Sequence, residues 1–409
     1  MTDHTTDTDA RRNRQAIILG IDSPIGLTMI RELARHDVRV IGLARSKAGI
    51  GLYSRYLHEG HIRERDEDAL IAQLNALAST SGCRWLMTVS ENDIQLLHRR
   101  QGDLVGITPL IPEKTSFQLV LDKAKINRIA DELGIDTPYG WPIDNSQDSA
   151  NLSPAPHFPL VLKWPDLESV RNELINNNAP LDKYRYVHDP ADLQTYLARF
   201  DALGVYPLVQ SYCPGHGLGQ MILMHQGKSV LEFQHRRVRE FPPEGGISSV
   251  CESSVIDEAL MRKSVSLLQT VGWEGPAMVE YRHDPRTGKS CLMEVNGRFW
   301  GSLPLANATG AEFVWFTFSI RALGQVPTMP STRHPQRARF VIPDMQRLYR
   351  ILFARKRIAD PTVKVRPLTE LLHFFADYLR LRTRYYVFSF TDPKPFLADL
   401  WFILRNRVR

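Results

Sequence analysis

The sequence predicts an α/β protein with an N-terminal parallel-sheet unit, a mixed α+β body and a basic, mainly helical C-terminal extension. Three observations predict this class. Residues 15–43 read as strand, turn, helix and strand, the pattern of a βαβ unit. Residues 277–303 read as two apolar strands around a turn. Residues 331–409 carry 17 Lys and Arg against 6 Asp and Glu.

The length and composition are those of a multi-domain globular protein. The chain has 409 residues, of which 43% are hydrophobic and 23% charged, so we expect two to three domains. The sequence contains neither a transmembrane-length apolar run nor the apolar core of a signal peptide. We therefore expect a disordered leader over residues 1–14 and a cytoplasmic location. The four cysteines lie far apart in sequence, which predicts reduced, partly buried thiols: Cys83, Cys213, Cys251 and Cys291.

The positive charge is confined to one end of the chain. Residues 1–330 carry 34 basic and 39 acidic residues, so the net charge of +6 comes from residues 331–409. Such a segment either contacts a membrane or an acidic partner, or exposes solvated basic helix faces on the main body. The sequence leaves both possibilities open, and we expect no nucleic acid partner.

The N-terminal βαβ unit lacks the fingerprint of a dinucleotide site. Gly20 and Gly26 are its only glycines around the first turn, and Pro24 lies between them. A G-x-G-x-x-G motif is therefore absent, which disfavours a nicotinamide-dependent oxidoreductase.

The middle of the chain alternates short strands and helices. Lys123 lies at the start of a predicted helix that Gly134 ends, and Lys163 ends a short apolar strand. The remaining predicted segments are an irregular stretch over 166–183, strands at 184–187 and 207–211, a helix at 191–200, a turn-rich link over 212–219 and a hairpin turning at 226–227.

The hairpin over residues 277–303 carries the strongest chemical signal. Its turn at residues 284–289 brings Glu280 and Glu294 into one neighbourhood, with Asn296 just beyond. Two carboxylates buried together are costly unless a cation lies between them. Oxygen ligands completed by substrate phosphates are the set that Mg²⁺ prefers. The hairpin is therefore interpreted as a magnesium–nucleotide platform; an edge hairpin with solvated carboxylates is the alternative.

A basic run precedes this hairpin. The alternation of a strand places Arg237 and Arg239 on one face and Arg236 on the other, so at least one arginine points away from any single site. Arginines on a strand that is followed by the Gly-Gly loop at residues 245–246 suit a carboxylate, and Arg237 is favoured over Arg236 for such a site; a basic exposed strand is the alternative.

The order of these pieces resembles the ATP-grasp superfamily, in particular its carboxylate–amine ligases and predicted carboligases. The resemblance covers roughly residues 15–325, through a Leu-Asp-Lys helix start, a Phe-Pro-Leu-Val-Leu-Lys strand, a Leu-Val-Gln-Ser-Tyr hinge and a Met-Glu-Val-Asn-Gly-Arg hairpin arm. It implies five segments: the leader at 1–14, a Rossmann-like pre-ATP-grasp domain at 15–112, the two ATP-grasp lobes at 113–205 and 206–328, and the basic extension at 329–409.

The resemblance also implies roles for particular residues. Lys123 and Lys163 match the lysines that hold nucleotide phosphates, and Arg298 matches a residue that steadies the transferred phosphate. The implied metal ligands, for Mg²⁺ or Mn²⁺, are Glu280, Glu294 and Asn296. The hinge segment implied to pair with the adenine edge is Gln210, Ser211, Tyr212 and Cys213, with Leu208 and Val209 expected beside the ring.

The implied activity is ATP-dependent ligation, in which a carboxylate becomes an acyl phosphate and an amine displaces the phosphate. A kinase-like or carboxylase enzyme, and a nucleotide-binding protein docked through its basic region, are the alternatives. Two features depart from the family pattern. Residues 216–219 (HGLG) offer no carboxylate for the ribose, and residues 166–183 contain no glycine for a phosphate-covering loop. The resemblance also makes a homodimer and small-molecule substrates the expected partners.

Overall fold

The computed structural model describes residues 14–164, 167–182, 184–328, 336–358, 365–380 and 382–407. The predicted leader lies almost wholly outside the described residues. The N-terminal domain is a five-stranded parallel sheet in the order β3-β2-β1-β4-β5. Its strands are β1 (Gln15–Leu19), β2 (Arg39–Ala44), β3 (Glu59–Ile62), β4 (Trp85–Thr88) and β5 (Thr108–Pro109). Its helices are α1 (Pro24–Arg35), α2 (Glu67–Ser81) and α3 (Glu91–Arg99).

The first helix begins where the sequence predicts it. Ser23 accepts a hydrogen bond from the Gly26 amide and Pro24 occupies the first turn, a favourable helix start. Position 26 requires glycine because the backbone of residue 20 lies close to it: a Cβ there would lie 2.6 Å from the Gly20 carbonyl oxygen. The turn between β1 and α1 is thereby held against the sheet.

A smaller antiparallel sheet follows, in the strand order β6-β9-β7-β8. The elements of this part are α4 (Lys114–Leu121), α5 (Lys123–Glu132), β6 (Gly140–Trp141), β7 (Leu160–Lys163), α6 (Leu167–Asn176), β8 (Tyr184–Val187), α7 (Pro190–Leu197) and β9 (Leu208–Ser211). The prediction of an irregular stretch over residues 166–183 was wrong, because α6 occupies most of it. Leu174 is fully buried there and anchors the helix on the small sheet.

The largest sheet has seven strands in the order β14-β13-β10-β11-β12-β15-β16. Its first five strands, with one helix, are β10 (His216–His225), β11 (Lys228–Phe241), β12 (Ile247–Ser253), α8 (Glu258–Thr270), β13 (Gly275–Asp284) and β14 (Lys289–Asn296). The chain continues through α9 (Leu303–Ala308), α10 (Phe313–Leu323), β15 (Arg337–Arg339), α11 (Val341–Phe353), α12 (Pro367–Leu379), β16 (Thr383–Tyr385) and α13 (Lys394–Arg407). The C-terminal extension is mainly helical, as expected, and it also adds two strands to this sheet.

A buried ionic cluster joins the C-terminal extension to the sheet. Arg239 binds Asp344 through two hydrogen bonds of 2.8 and 2.9 Å, and it also contacts Asp377 at 2.5 Å. Arg339 binds Asp344 at 2.8 Å, and its guanidinium group packs against aromatic rings of α12. Arg337 binds Asp377 at 2.7 Å. Part of the basic character of this region is therefore structural.

No helix of the described segments is long and apolar enough to cross a membrane.

Candidate functional site

A cleft of about 740 Å³ lies between the small sheet and the largest sheet, beside the start of α1. The turn before α1, the small sheet, the largest sheet and the C-terminal extension all contribute to its lining. The eleven residues expected to bind the nucleotide, the metal or the reacting groups all line this cleft: Lys123, Lys163, Gln210, Ser211, Tyr212, Cys213, Arg237, Glu280, Glu294, Asn296 and Arg298. The roles of these residues remain predictions, but the fold brings all of them to one cavity.

The two carboxylates of the hairpin face one another. Glu280 on β13 is in register with Glu294 on β14, and Met278 is in register with Asn296. The Asn296 side-chain amide donates to Glu294 Oε1 at 3.1 Å. The side chains of Glu280, Glu294 and Asn296 therefore share one face of the hairpin, because alternate residues of a strand lie on the same face.

The environment separates the pKa values of these carboxyls. Burial raises the pKa of Glu280, and the negative charges of Glu294 and Glu240 add to this despite the Arg237 guanidinium. Burial also opposes ionisation of Glu294, yet Lys123, the Asn296 amide and Arg237 together hold its pKa below the ordinary value. Two facing carboxyls with opposed pKa shifts are a common feature of functional sites. A cation between the two carboxylates would favour the ionised form of both.

The donor set suits a magnesium ion shared with a phosphate ligand. Among the described residues, no group of three or more His, Cys, Asp or Glu side chains could enclose a metal by itself. Two carboxylates and one amide oxygen instead match Mg²⁺, which keeps several waters and takes substrate phosphate oxygens. Glu280, Glu294 and Asn296 are the residues that would hold it.

Two lysines face these carboxylates. Lys123 Nζ lies 3.5 Å from Glu294 Oε2, at the first residue of α5, where Asp122 caps the helix. Lys163, at the end of β7, has a lowered pKa, because it is largely desolvated and because Lys123 adds a second positive charge nearby. An anion between the two lysines would relieve this repulsion.

Arg237 crosses the sheet to reach the carboxylates. Its guanidinium group contacts Glu280 Oε2 at 2.6 Å and Glu240 Oε1 at 3.2 Å, and it donates to the Gly246 carbonyl at 3.0 Å. Burial opposes its charge, but Glu280 and Glu240 raise its pKa overall. Gly217 gives it room, because a Cβ there would lie 2.5 Å from Arg237 Cδ.

His235 lies beside Arg237 on the same strand and is 1% exposed. Its Nδ1 lies 2.9 Å from Ser302 Oγ, and its Nε2 has no hydrogen-bond partner among the described residues. Burial, together with Arg237, lowers its pKa to about 3, so the ring is neutral at neutral pH. A Cβ at Gly219 would lie 3.0 Å from this Nε2.

The prediction of a turn-rich link over residues 212–219 was therefore partly wrong. Residues 216–219 begin β10, and Gly217 and Gly219 clear space for the side chains of the neighbouring strand. Sequence periodicity cannot reveal this use of glycine, because the side chains concerned belong to β11.

The alternation expected for the three arginines also changes. The pairing of β11 with β12 shifts between Arg237 and Arg239 and again before Glu240. Such irregularities redirect side chains. Arg237 consequently enters the cleft, Arg239 joins the buried ionic cluster, and Arg236 pairs with Glu252 on the surface.

The hinge residues follow β9. Gln210 is buried in the small sheet, and Ser211 accepts a hydrogen bond from the Tyr139 amide at 2.9 Å. Cys213 Sγ lies 2.6 Å from Cys291 Sγ, so two cysteines that are 78 positions apart in sequence meet at the cleft wall. Leu208 and Val209 are not among the residues that line the cleft; Val161 and Met293 are.

Several residues that line the cleft were not predicted from the sequence. Tyr184 and Tyr186 alternate on β8, and their hydroxyls donate at 3.1 Å to the carbonyls of Gly245 and Glu244. They thereby hold the Gly-Gly loop over the cleft. A Tyr-x-Tyr pair on a short strand is a weak signal without knowledge of the facing loop.

Arg298, which was predicted, and an aromatic pair, which was not, both depend on contacts between distant parts of the chain. Arg298 donates to Glu91 Oε1 at 3.1 Å and so joins the hairpin to α3 of the N-terminal domain. Phe340 and Tyr386 of the C-terminal extension stack with ring centroids 5.4 Å apart and line the cleft. No local pattern of the sequence indicates either arrangement.

Comparisons with known proteins agree with this geometry. The family model "Carbamoyl-phosphate synthase L chain, ATP binding domain" matches residues 248–326, which include the hairpin. No curated protein matches the chain.

Solved structures resemble most of the chain. A biotin carboxylase from Campylobacter jejuni, in complex with an ATP analogue, aligns with a TM-score of 0.60 at 14% identity, covering 79% of this chain and 74% of that one. An L-amino acid ligase from Bacillus licheniformis aligns with a TM-score of 0.54 at 17% identity, covering 76% and 74%. N5-carboxyaminoimidazole ribonucleotide synthetase, as its ADP complex, aligns with a TM-score of 0.57 at 13% identity, covering 79% and 80%. The resemblance noted in the sequence is confirmed at the level of the fold: this chain has the fold of the ATP-grasp superfamily.

Proposed function

We propose that this protein is an ATP-dependent ligase that activates a carboxylate as an acyl phosphate and transfers the acyl group to an amine. The observation that carries the proposal is the facing arrangement of Glu280 and Glu294 with Lys123 beside them and Lys163 in the same cleft. Carboxylates on one side and lysines on the other suit a magnesium-bound polyphosphate. The solved structures with this fold include a biotin carboxylase and an L-amino acid ligase, which supports ligase or carboxylase chemistry.

The chemistry requires positioning and charge stabilisation rather than a protein nucleophile. A substrate carboxylate oxygen attacks the γ-phosphorus of ATP, the bond to the β-phosphate oxygen breaks, and ADP leaves. The amine nitrogen then attacks the acyl carbon, phosphate leaves with the carbon–oxygen electron pair, and the nitrogen loses one proton. When bound, Mg²⁺ (or Mn²⁺) neutralises the charge that builds on the phosphate oxygens.

The lysines and arginines of the cleft each have a proposed role in these steps. Lys123 and Lys163 hold phosphate oxygens as point charges, and Arg298 steadies the transferred phosphoryl group. Arg237 binds the substrate carboxylate through its planar fork. In the structure Arg237 contacts Glu280, which with Glu294 would hold a metal ion, and it keeps Glu240 and the Gly246 carbonyl as further partners.

The hinge segment from Gln210 to Cys213 is proposed to contact the adenine. Val161 and Met293 supply apolar surface in the same cleft. We also propose small-molecule substrates, a homodimer, and a contact of residues 331–409 with a membrane or a protein. The proposed domain boundaries are those implied by the family resemblance.

The test is ADP release by the purified protein with Mg-ATP against amino acids, small carboxylates and sugar acids, alone and in pairs. We expect release that depends on an acceptor pair and that disappears in the Glu294→Ala variant. ADP release that requires the carboxylate but no amine would favour a kinase-like or carboxylase reaction. Tight binding of ATP without turnover on any pair would favour a nucleotide-binding protein, and failure to bind Mg-ATP would contradict the proposal.

A further inference from the structure

The three C-terminal helices expose apolar stripes at helical spacing. Met345, Tyr349 and Phe353 recur every four residues on α11 and are 53, 60 and 75% exposed. The stripe of α12 consists of Leu368, Leu372, Phe375 and Leu379, and that of α13 of Leu397, Leu400, Trp401 and Leu404. Residues three and four apart share one helix face, so each helix presents an apolar side to solvent. We call these three stripes, with the loop between β16 and α13, the C-terminal face.

The exposure is concentrated in this part of the chain. Of the large hydrophobic side chains exposed among the described residues, thirteen lie in residues 336–407 and ten in the much longer segment 14–328. Scattered apolar residues on a surface need no explanation, whereas a concentrated set marks an interaction site.

Aromatic contacts connect α12 to α13. Tyr378 stacks on Tyr385 with ring centroids 6.3 Å apart, and Tyr385 contacts Phe388 at 6.2 Å. Phe388 contacts both Phe390, which is 91% exposed, and Phe396 of α13. These ring contacts join α12 to α13 through β16 and the loop that follows it.

The exposed charges of residues 336–405 have a single sign, although Arg380 lies 3.5 Å from the buried Asp377. Between residues 336 and 405 every described Asp and Glu is buried or half-buried: Asp344, Glu370, Asp377, Asp392 and Asp399. The exposed cations of the same region lie at or beyond the helix ends: Arg355, Lys356, Arg366, Arg380, Arg382, Arg384, Lys394 and Arg405. The solvent-facing side of this region is therefore apolar and cationic at once.

We propose that the C-terminal face docks the protein on the surface of an anionic lipid bilayer. Helices that lie in the interface combine an apolar side containing Trp, Phe and Leu with Lys and Arg, which bind lipid phosphates. Trp401, Phe353 and Tyr349 supply aromatic side chains of the kind that favour the boundary between headgroups and acyl chains. The helices lie on the membrane and do not cross it.

A second copy of the chain fits this surface less well. A two-fold interface brings the same patch of two molecules together. The cations of one copy would then meet those of the other, with no exposed described carboxylate in the region to pair with them. An anionic bilayer satisfies the cations and covers the apolar stripes.

The test is co-sedimentation of the full-length protein with vesicles of phosphatidylcholine alone or mixed with phosphatidylglycerol, at low and high salt. We expect binding to the mixed vesicles that weakens at high salt and little binding to phosphatidylcholine alone. The Trp401→Ser/Leu404→Ser variant should lose binding at least tenfold, because it removes apolar surface that the bilayer would cover. The Arg380→Gln/Arg382→Gln/Arg384→Gln variant should also lose binding at least tenfold, because each surface cation contributes about 1 kcal/mol near an anionic bilayer.

Matched controls keep the test specific. Val105→Ser/Val255→Ser removes two exposed apolar side chains of the main body, and Lys47→Gln/Arg65→Gln/Lys228→Gln removes three of its exposed cations. Both controls should bind like the wild type. Absence of binding to the mixed vesicles, or equal losses in the controls, would overturn the proposal. A dimer in light scattering that the Trp401→Ser/Leu404→Ser variant dissociates, in a protein that binds no vesicles, would assign the face to a second copy instead. ADP release is measured separately on the same samples, so the outcome is independent of the proposed ligase activity.

Discussion

Arg237 and Arg239 lie two residues apart on β11, yet they belong to regions of opposite character. Arg239 lies in the buried ionic cluster, where Asp344 and Asp377 balance the arginines around them. Arg237 lies in the cleft, where two carboxylates face each other and one lysine repels another around an open cavity. Each carboxylate of the cluster is bound by at least two arginines, whereas the carboxylates and lysines of the cleft surround an open cavity that suits a ligand of both signs. Charge density alone therefore does not identify a functional site.

Loss of Arg239 should destabilise the folded protein more than any other change considered for the two regions. Arg239→Met should lower the free energy of unfolding by about 3–5 kcal/mol, because two buried carboxylates lose a partner. Urea denaturation followed by fluorescence measures this. Arg236→Met, three positions earlier and 53% exposed, is the matched control and should cost about 1 kcal/mol or less. Equal losses for the two variants would contradict the distinction.

The next effect falls on activity. Glu294→Ala should reduce kcat/KM for Mg-ATP by about 10³-fold, or about 4 kcal/mol of transition-state stabilisation, because the metal loses a carboxylate ligand. Its unfolding midpoint should stay near that of the wild type, since this side chain is 39% exposed. Glu59→Ala on β3 serves as the control. Activity within threefold of the wild type for Glu294→Ala would exclude a metal role for this residue.

Arg237→Lys keeps the positive charge of the side chain and removes its planar fork, so it tests whether the guanidinium geometry is needed. We expect a loss of about 10²-fold in kcat/KM for the carboxylate substrate, since lysine cannot bind a carboxylate through two parallel hydrogen bonds. The KM for ATP should change little. Arg236→Lys should leave both constants unchanged. A variant that loses ATP affinity instead would assign Arg237 to the nucleotide.

A third buried charge belongs to neither region. Glu32 of α1 accepts hydrogen bonds from the Trp315 amide and the Asn307 side chain, and burial raises its pKa to about 7. Its folded-state pKa lies above the unfolded value, so stability should fall as pH rises from about 4.5 to 7 and then level off. Glu32→Gln should flatten this decline and gain about 3 kcal/mol at pH 8, as measured by denaturation across pH. A decline that persists unchanged in the variant would assign it to other groups.

The smallest effect concerns the lysine pair. Burial and the charge of Lys123 lower the pKa of Lys163. Lys163 should therefore lose its positive charge at a lower pH than an ordinary lysine, and the affinity for ATP should begin to fall at that pH. Lys123→Met removes the neighbouring charge and should move this alkaline limb to higher pH, although it also weakens binding at every pH. Titration of ATP binding from pH 7 to 10 measures the limb. Lys125→Met, on the exposed side of the same helix, should leave it in place.

Part of the cleft could be predicted from local patterns, whereas the roles of Lys123, Lys163, the hinge and Arg298 were implied by the family resemblance and not by the residues alone. The Glu280–Glu294 pair required only a hairpin of the correct length, and the turn at residues 284–289 specifies one. Lys123 follows a helix-capping aspartate, and Lys163 ends an apolar strand.

The remaining features depend on contacts between distant segments. Two side chains of β11 required glycines on β10, and the irregular pairing near Arg239 redirected an arginine that simple alternation placed with Arg237. The helix over Leu167–Asn176 was missed because its flanking asparagines suggested a loop. Of the C-terminal strands, β15 pairs with β12 and β16 pairs with β15, and no local pattern of residues 336–385 encodes those partners.

The most direct test of the account is calorimetric titration of ATP with and without Mg²⁺, for the wild type and for the Glu280→Gln/Glu294→Gln variant. The wild type should bind ATP more tightly when Mg²⁺ is present. The variant should still bind ATP through its lysines but should show no gain from Mg²⁺. A variant that keeps the full Mg²⁺-dependent gain would show that the metal lies elsewhere and would contradict the assignment of the hairpin.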